Sequence, residues 1–174
     1  MPETEPRFAA LVREIVEPIR RYLARRTDPD TAEDVLAETL LVCWRRLDEI
    51  PADPLPWAYV VARHCLANAE RSRRRRERLV LRLAAVAPRP VFTEDSADHG
   101  ALHQALGRLR PADAEVLRLW AWEELGVGDI ATVLEISENA ASIRLHRAKR
   151  RLRDLLGKPG RANGHIQGER RQDR

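Results

Sequence analysis

The stretch DIATVLEISENAASIRLHRAKRRL, residues 129–152, decides how the rest of the chain is read. Ile130, Val133 and Leu134 make a short apolar stripe at helical spacing. Ser137 interrupts it as a good N-cap, and Glu138 and Asn139 open the next helix. From there Ala141, Leu145, Ala148 and Leu152 recur at intervals of four, three and four, which defines one buried helix face. At ~100° per residue, the opposite side carries Asn139, Ser142, Ile143, His146, Arg147 and Arg150.

A short helix, a tight turn and a longer helix with a basic outward face is the helix-turn-helix pattern. Its second helix offers its N-terminal half to base edges and its arginines to phosphate and guanine. The same residues also describe a plain helical hairpin with a solvated basic face, and this stretch alone leaves both open. The turn often holds a glycine, and here Glu135 occupies that place. A left-handed backbone there costs a non-glycine residue about 1 kcal/mol, which a packed motif tolerates.

Working outward, residues 7–26 read as a helix with Phe8, Leu11, Val12, Ile15, Ile19, Tyr22 and Leu23 on one side, kinked or restarted at Pro18. Asp28 can cap the following helix, 29–48, and Pro29 suits its first position. That helix turns Val35, Leu36, Thr39, Leu40, Cys43 and Leu47 inward. Between Asp28 and Asp53 eight acidic residues face only Arg45 and Arg46, in a chain of net charge +4. Such an acidic helix is either solubilising or shaped for a basic protein surface.

Pro51, Pro54 and Pro56 mark a loop, and from Leu55 a long helix carries Trp57, Tyr59, Val60, Val61, Cys65 and Leu66 into RSRRRRER, residues 71–78. Aromatics ahead of an arginine run can stack unpaired bases while the cations hold phosphates. Trp57 and Tyr59 serve equally well as core residues. Residues 79–97 lose periodicity and read as a linker, with Leu79 to Val86 a last helical piece. Helices follow near 98–109, 111–125, 127–134 and 138–156, and a polar basic tail from 157 reads as disordered.

The fold class expected is all-α: a helical domain over 1–78, a flexible linker over 79–97, a helix-turn-helix domain over 98–156 and a tail over 157–174. Cys43 and Cys65 read as reduced core thiols. His99 and His103 lie four apart with no third ligand nearby, so no metal site is expected. No phosphate-cradling glycine loop, nucleophile–base constellation or membrane-length apolar run occurs. Catalysis and cofactors are therefore not expected. Without a secretory signal at MPETEPRF, the cytoplasm is the expected compartment.

Three blocks together resemble a known family. AEDVLAETLLVCWRRLDEI, residues 32–50, resembles the core-binding segment of bacterial RNA polymerase sigma factors. PLPWAYVVARHCLANAERSRRRR, residues 54–76, is similar to their promoter-melting, −10-reading helix. LGRLRPADAEVLRLWAWEELGVGDIATVLEISENAASIRLHRAKRRL, residues 106–152, resembles their −35-binding domain. The short two-domain plan is like the extracytoplasmic-function group.

The resemblance implies a dissociable subunit that binds core polymerase and directs promoter recognition and initiation. It assigns Thr31, Asp34, Glu38 and Arg45 to the largest-subunit clamp helices. Trp57, Tyr59, His64, Asn68, Arg71, Arg74 and Arg75 fall to the −10 region, and Asn139, Ser142, Ile143, Arg144, His146, Arg147, Arg150 and Arg151 to the −35 region. Partners so implied are core polymerase, through clamp helices and flap, and promoter DNA, with an anti-sigma protein as a further candidate. The competing expectations are a free-standing helix-turn-helix regulator acting without polymerase, and an interaction protein with unspecific nucleic-acid binding.

Overall fold

The computed structural model describes residues 4–83 and 100–157. Its helices are α1 (Thr4–Ala24), α2 (Pro29–Arg45), a 3-10 turn (Leu47–Glu49), α3 (Pro54–Leu83), α4 (Gly100–Gly107), α5 (Pro111–Ala121), α6 (Val127–Leu134) and α7 (Glu138–Leu156). No strand occurs among the described residues.

The first three helices pack on one another. From α1, Leu11, Ile15, Ile19, Tyr22 and Leu23 follow one another at steps of four, four, three and one, so they share a face and are all buried. Each such apolar side chain taken from water contributes about 1.5–3 kcal/mol. They meet Val35, Leu36 and Cys43 of α2 and Ala58, Val61, Ala62, Cys65 and Leu66 of α3. Thr39 is the polar member of this core, and its hydroxyl is satisfied by donating to the Val35 carbonyl at 2.7 Å. Burial pushes the Cys43 thiol up to about 11 and also raises Cys65.

Local chemistry sets most helix ends. Asp28 accepts from the Thr31 amide at 2.9 Å and from its hydroxyl at 2.8 Å, with Pro29 at the first helical position. The Thr31 bonds hold the Asp28 carboxyl below its ordinary value. Arg7 fastens α1 to the 3-10 turn, donating to the Leu47 carbonyl at 3.0 Å and to Asp48 at 2.8 Å.

Two expectations are corrected. The α1 helix runs through Pro18 as a single element, because the packing of fully buried Ile15 and Ile19 on either side outweighs the missing donor. Val12 is half-buried, not core. The long helix continues to Leu83, within the last helical piece expected from Leu79 to Val86. Residues 84–97, His99 and the tail from 158 lie outside the described residues.

In the second half α7 lies on α4, α5 and α6. Its core is Leu106, Leu109, Val116, Leu117, Leu119, Ile130, Val133, Ala141, Leu145 and Ala148. The two halves also touch, because α3 packs against α6.

Candidate nucleic-acid and protein interfaces

On α2, Thr31, Asp34, Glu38 and Arg45 fall at steps of three, four and seven, which is one helix stripe. Asp34, Glu38 and Arg45 are exposed. Thr31 is half-buried, and its hydroxyl is already committed to the Asp28 cap. Leu41 and Trp44 join this surface as exposed apolar residues, with Trp44 held edge-on against Phe8 at a ring separation of 5.0 Å. Sequence analysis did not single them out. Helical phase could have found Leu41, since it falls three residues from Glu38 and four from Arg45.

On α3, Trp57, His64, Asn68, Arg71 and Arg75 lie at steps of seven, four, three and four along a single stripe. Arg71 donates to Asn68 Oδ1 at 2.6 Å and to the Ala67 carbonyl at 3.2 Å, so this pair is held in place before any ligand arrives. Trp57 is half-buried against the core, and the Arg46 guanidinium lies 5.6 Å from its ring centre. Arg74 is exposed and reaches Glu70 at 3.6 Å.

Tyr59 does not belong to this stripe. It is 2% exposed and packs on Tyr22 with ring centres 5.2 Å apart, so it cannot stack an unpaired base. Burial raises its phenol to about 12. Phase again carried the signal: Tyr59 sits on the side of Ala62 and Leu66, which are buried.

On the second half, the turn between α6 and α7 is a Schellman-type closure. The Ile136 amide bonds to the Ala131 carbonyl at 3.0 Å and the Glu135 amide to Thr132 at 3.1 Å. Glu135 stands at the left-handed position, with φ 54° and ψ 45°. Ser137 then caps α7 by accepting from the Ala140 amide at 3.2 Å. Asn139, Ser142, Ile143, His146, Arg147, Arg150 and Arg151 are exposed, and Arg144 is half-buried at the side of the helix. The α7 side chains expected to reach DNA are therefore displayed together on an open face. Lys149 lies 3.3 Å from the ring centre of exposed Trp120, a pairing that only the tertiary fold creates.

Between the halves lies an ion cluster that sequence analysis missed. Arg26, at the end of α1, donates through Nη2 to Glu115 of α5 at 3.0 Å and through Nη1 to Glu123 at 3.1 Å. It also stacks 3.6 Å from the Tyr22 ring centre. Arg25 reaches the second Glu123 oxygen at 3.0 Å. Side chains of Arg26 and Glu123 are only 7% and 2% exposed. Farther along, His64 Nε2 is 3.0 Å and Arg63 Nη1 3.5 Å from the Glu135 carboxylate, and Arg63 also donates to the Val133 carbonyl at 3.4 Å. These partners lie roughly 70 to 100 positions apart in sequence, so no local pattern announces them.

Among the described residues no group of three metal-ligating side chains occurs, and no helix is long and apolar enough to cross a membrane. A three-helix module with an acidic α2 and a Trp–His–Asn–Arg stripe on α3, joined to a helix-turn-helix with an open basic face, defines a two-module DNA-binding transcription protein. Residues 99–152 match the Sigma-70, region 4 family model. The ECF RNA polymerase sigma factor SigL of Mycobacterium tuberculosis is 31% identical over 147 residues, covering 80% of this chain and 83% of SigL. The RNA polymerase sigma-E factor of Streptomyces coelicolor is 30% identical, over 76% of this chain and 77% of its own. In fold, the chain is similar to the sigma factor RpoE of Bartonella quintana solved with the anti-sigma factor NepR, at TM-score 0.64 and 21% identity, covering 86% of this chain and 96% of RpoE. CnrH, solved with the cytosolic domain of CnrY, gives TM-score 0.59 at 22% identity, over 86% of this chain and 87% of its own. The chain belongs to the extracytoplasmic-function sigma factors of bacterial RNA polymerase.

Proposed function

We propose that this sigma factor divides its work among three surfaces. The α2 stripe of Asp34, Glu38 and Arg45, with Leu41 and Trp44 beside it, engages the basic clamp helices of the polymerase largest subunit. The α3 stripe of Trp57, His64, Asn68, Arg71 and Arg75 captures the opened −10 strand. The exposed face of α7 reads the −35 duplex, and the second module also meets the polymerase flap. Unstacking bases costs a few kcal/mol per step, and stacking plus cation contacts on the released strand offsets it. The chain supplies no catalysis of its own and works in the cytoplasm, where its polymerase and promoters are. An anti-sigma protein is a further partner, since RpoE, which shares this fold, was solved with one.

The observation that carries this reading is that α2 and α3 present two chemically different open stripes, one acidic and apolar, one aromatic and basic, on the same module. A free-standing regulator has use for α7 but none for the α2 face. The test is a pull-down with core polymerase followed by abortive transcription on a pool of genomic promoter fragments. Co-purification with promoter-dependent short transcripts supports the reading. DNA binding without polymerase association overturns it.

A further inference from the structure

Most of the α3 stripe is blind to base identity. Trp57 offers a ring face, and stacking accepts any base. Arg71 and Arg75 are exposed cations whose ordinary partners are phosphates. Asn68 differs: it is the only Asn or Gln in α3, and it is exposed between His64 and Arg71 on the stripe. An amide has an accepting oxygen and a donating nitrogen, and the end that faces the strand decides what it reads.

The structure sets which end that is. Arg71 bends back along its own helix, donating through Nε to the Ala67 carbonyl at 3.2 Å and through Nη2 to Asn68 Oδ1 at 2.6 Å. A guanidinium carries donors only, so only the amide oxygen can face it. The donor is charged, which makes this the stronger kind of hydrogen bond. Oδ1 is thereby kept turned toward Arg71, and Nδ2 is the end presented to a strand. Arg71 Nη1 remains for a phosphate oxygen. The residue that grips the backbone thus also aims the amide beside it.

Adenine is the base this arrangement serves worst. Asparagine reads adenine with both ends, accepting from N6 and donating to N7. With Oδ1 engaged, the adenine amino group must share that oxygen with a cation or go unpaired, and an unpaired enclosed donor weakens binding. Thymine, cytosine and guanine each carry a carbonyl oxygen that accepts from Nδ2 and makes no demand on Oδ1. We propose that Arg71 positions Asn68 as a donor, so that the −10 base held against it is one bearing a carbonyl oxygen and adenine is disfavoured there. This rests on the strand-capture reading given under Proposed function and adds a base preference to it.

The experiment uses the full chain with core polymerase on a promoter fragment randomised across the melted −10 segment. Heparin-resistant open complexes are recovered and their DNA is sequenced. Wild type should deplete adenine at one position by about fivefold or more. Asn68→Ala should level that position alone. Arg71→Lys keeps the charge but gives up the fork, so adenine should return at the same position even where total recovery falls. An Arg71 that serves phosphate only would leave the base profile of Arg71→Lys as in wild type, and that result overturns the proposal. An adenine-depleted position indifferent to Asn68→Ala overturns it as well. Both side chains are exposed, so circular dichroism should show unchanged helix content. Should either variant lose helix, Asn68→Asp decides: it keeps the shape of Asn68 and removes the donor, so the position must turn toward adenine. Wild-type complexes with no base preference anywhere in the segment would end the strand-capture reading together with this one. A preference that these variants do not move would end this inference alone.

Discussion

At the scale of single residues, the α7 face separates two kinds of arginine. Arg147 is exposed beside Ser142, Ile143 and His146, in position to meet a base edge. Arg151 is exposed one turn farther along, where a phosphate contact is the expected role. Arg147→Ala should relax preference at one position of the −35 element, by about 1–3 kcal/mol of discrimination. Arg151→Ala should weaken all sequences alike and flatten the salt dependence. Competition binding over single-base variants at two salt concentrations distinguishes them; uniform loss in both would make α7 an electrostatic anchor. Residue identity alone told this much because exposure on α7 follows helical phase from Ala141, Leu145 and Ala148. It did not tell that Tyr59 is core, since an aromatic near an arginine run suits either role until its phase against Ala62 and Leu66 is counted.

Among elements, α2 and α3 carry sharper tests. Charge reversal at both Asp34 and Glu38 should weaken the complex with core polymerase by about 2–5 kcal/mol if each is paired in it. Helix content should stay unchanged, because both side chains are exposed. Core affinity equal to wild type in a gel-shift titration would remove α2 from the interface. On α3, Trp57→Ala should leave a polymerase–promoter complex that stays closed to permanganate, provided circular dichroism shows the helices intact. Normal opening would return Trp57 to a packing role, which its half-buried position also serves. Element boundaries were legible wherever a local group sets them: Asp28 and Pro29 start α2, Pro111 starts α5, and Ser137 starts α7. They were not legible at Pro18, where packing of Ile15 and Ile19 on either side outweighs the local rule.

For the whole molecule, the division into two helical modules could be read from periodicity, but their docking could not. Arg26 looks like any arginine at a helix end until Glu115 and Glu123 are brought to it from 89 and 97 residues away. The same burial that hides this junction makes the fold sensitive to alkali. Desolvation is the leading cause that raises Cys43 from 9.0 to about 11, Tyr59 from 10.0 to about 12, and Tyr22 and Cys65 in the same direction. An acidic group whose proton is held more tightly in the folded chain favours folding only while the unfolded chain is also protonated. Above pH 9 the unfolded thiols lose protons that the folded ones keep, so the unfolded state binds fewer protons and stability falls as pH rises. Each such group contributes a slope of about 1.4 kcal/mol per pH unit between its unfolded and folded values. Tyr22 adds a second consequence, because its ring lies under Arg26 and its phenolate would face Glu115 and Glu123. The urea midpoint, followed by circular dichroism, should therefore be level to about pH 8.5 and then decline steadily toward pH 11. Cys43→Ala should lower the starting stability, through the lost thiol packing, yet make the decline shallower. A midpoint unchanged at pH 10.5, or an equal slope in the variant, would mean that these buried groups titrate in the folded chain as they do in water.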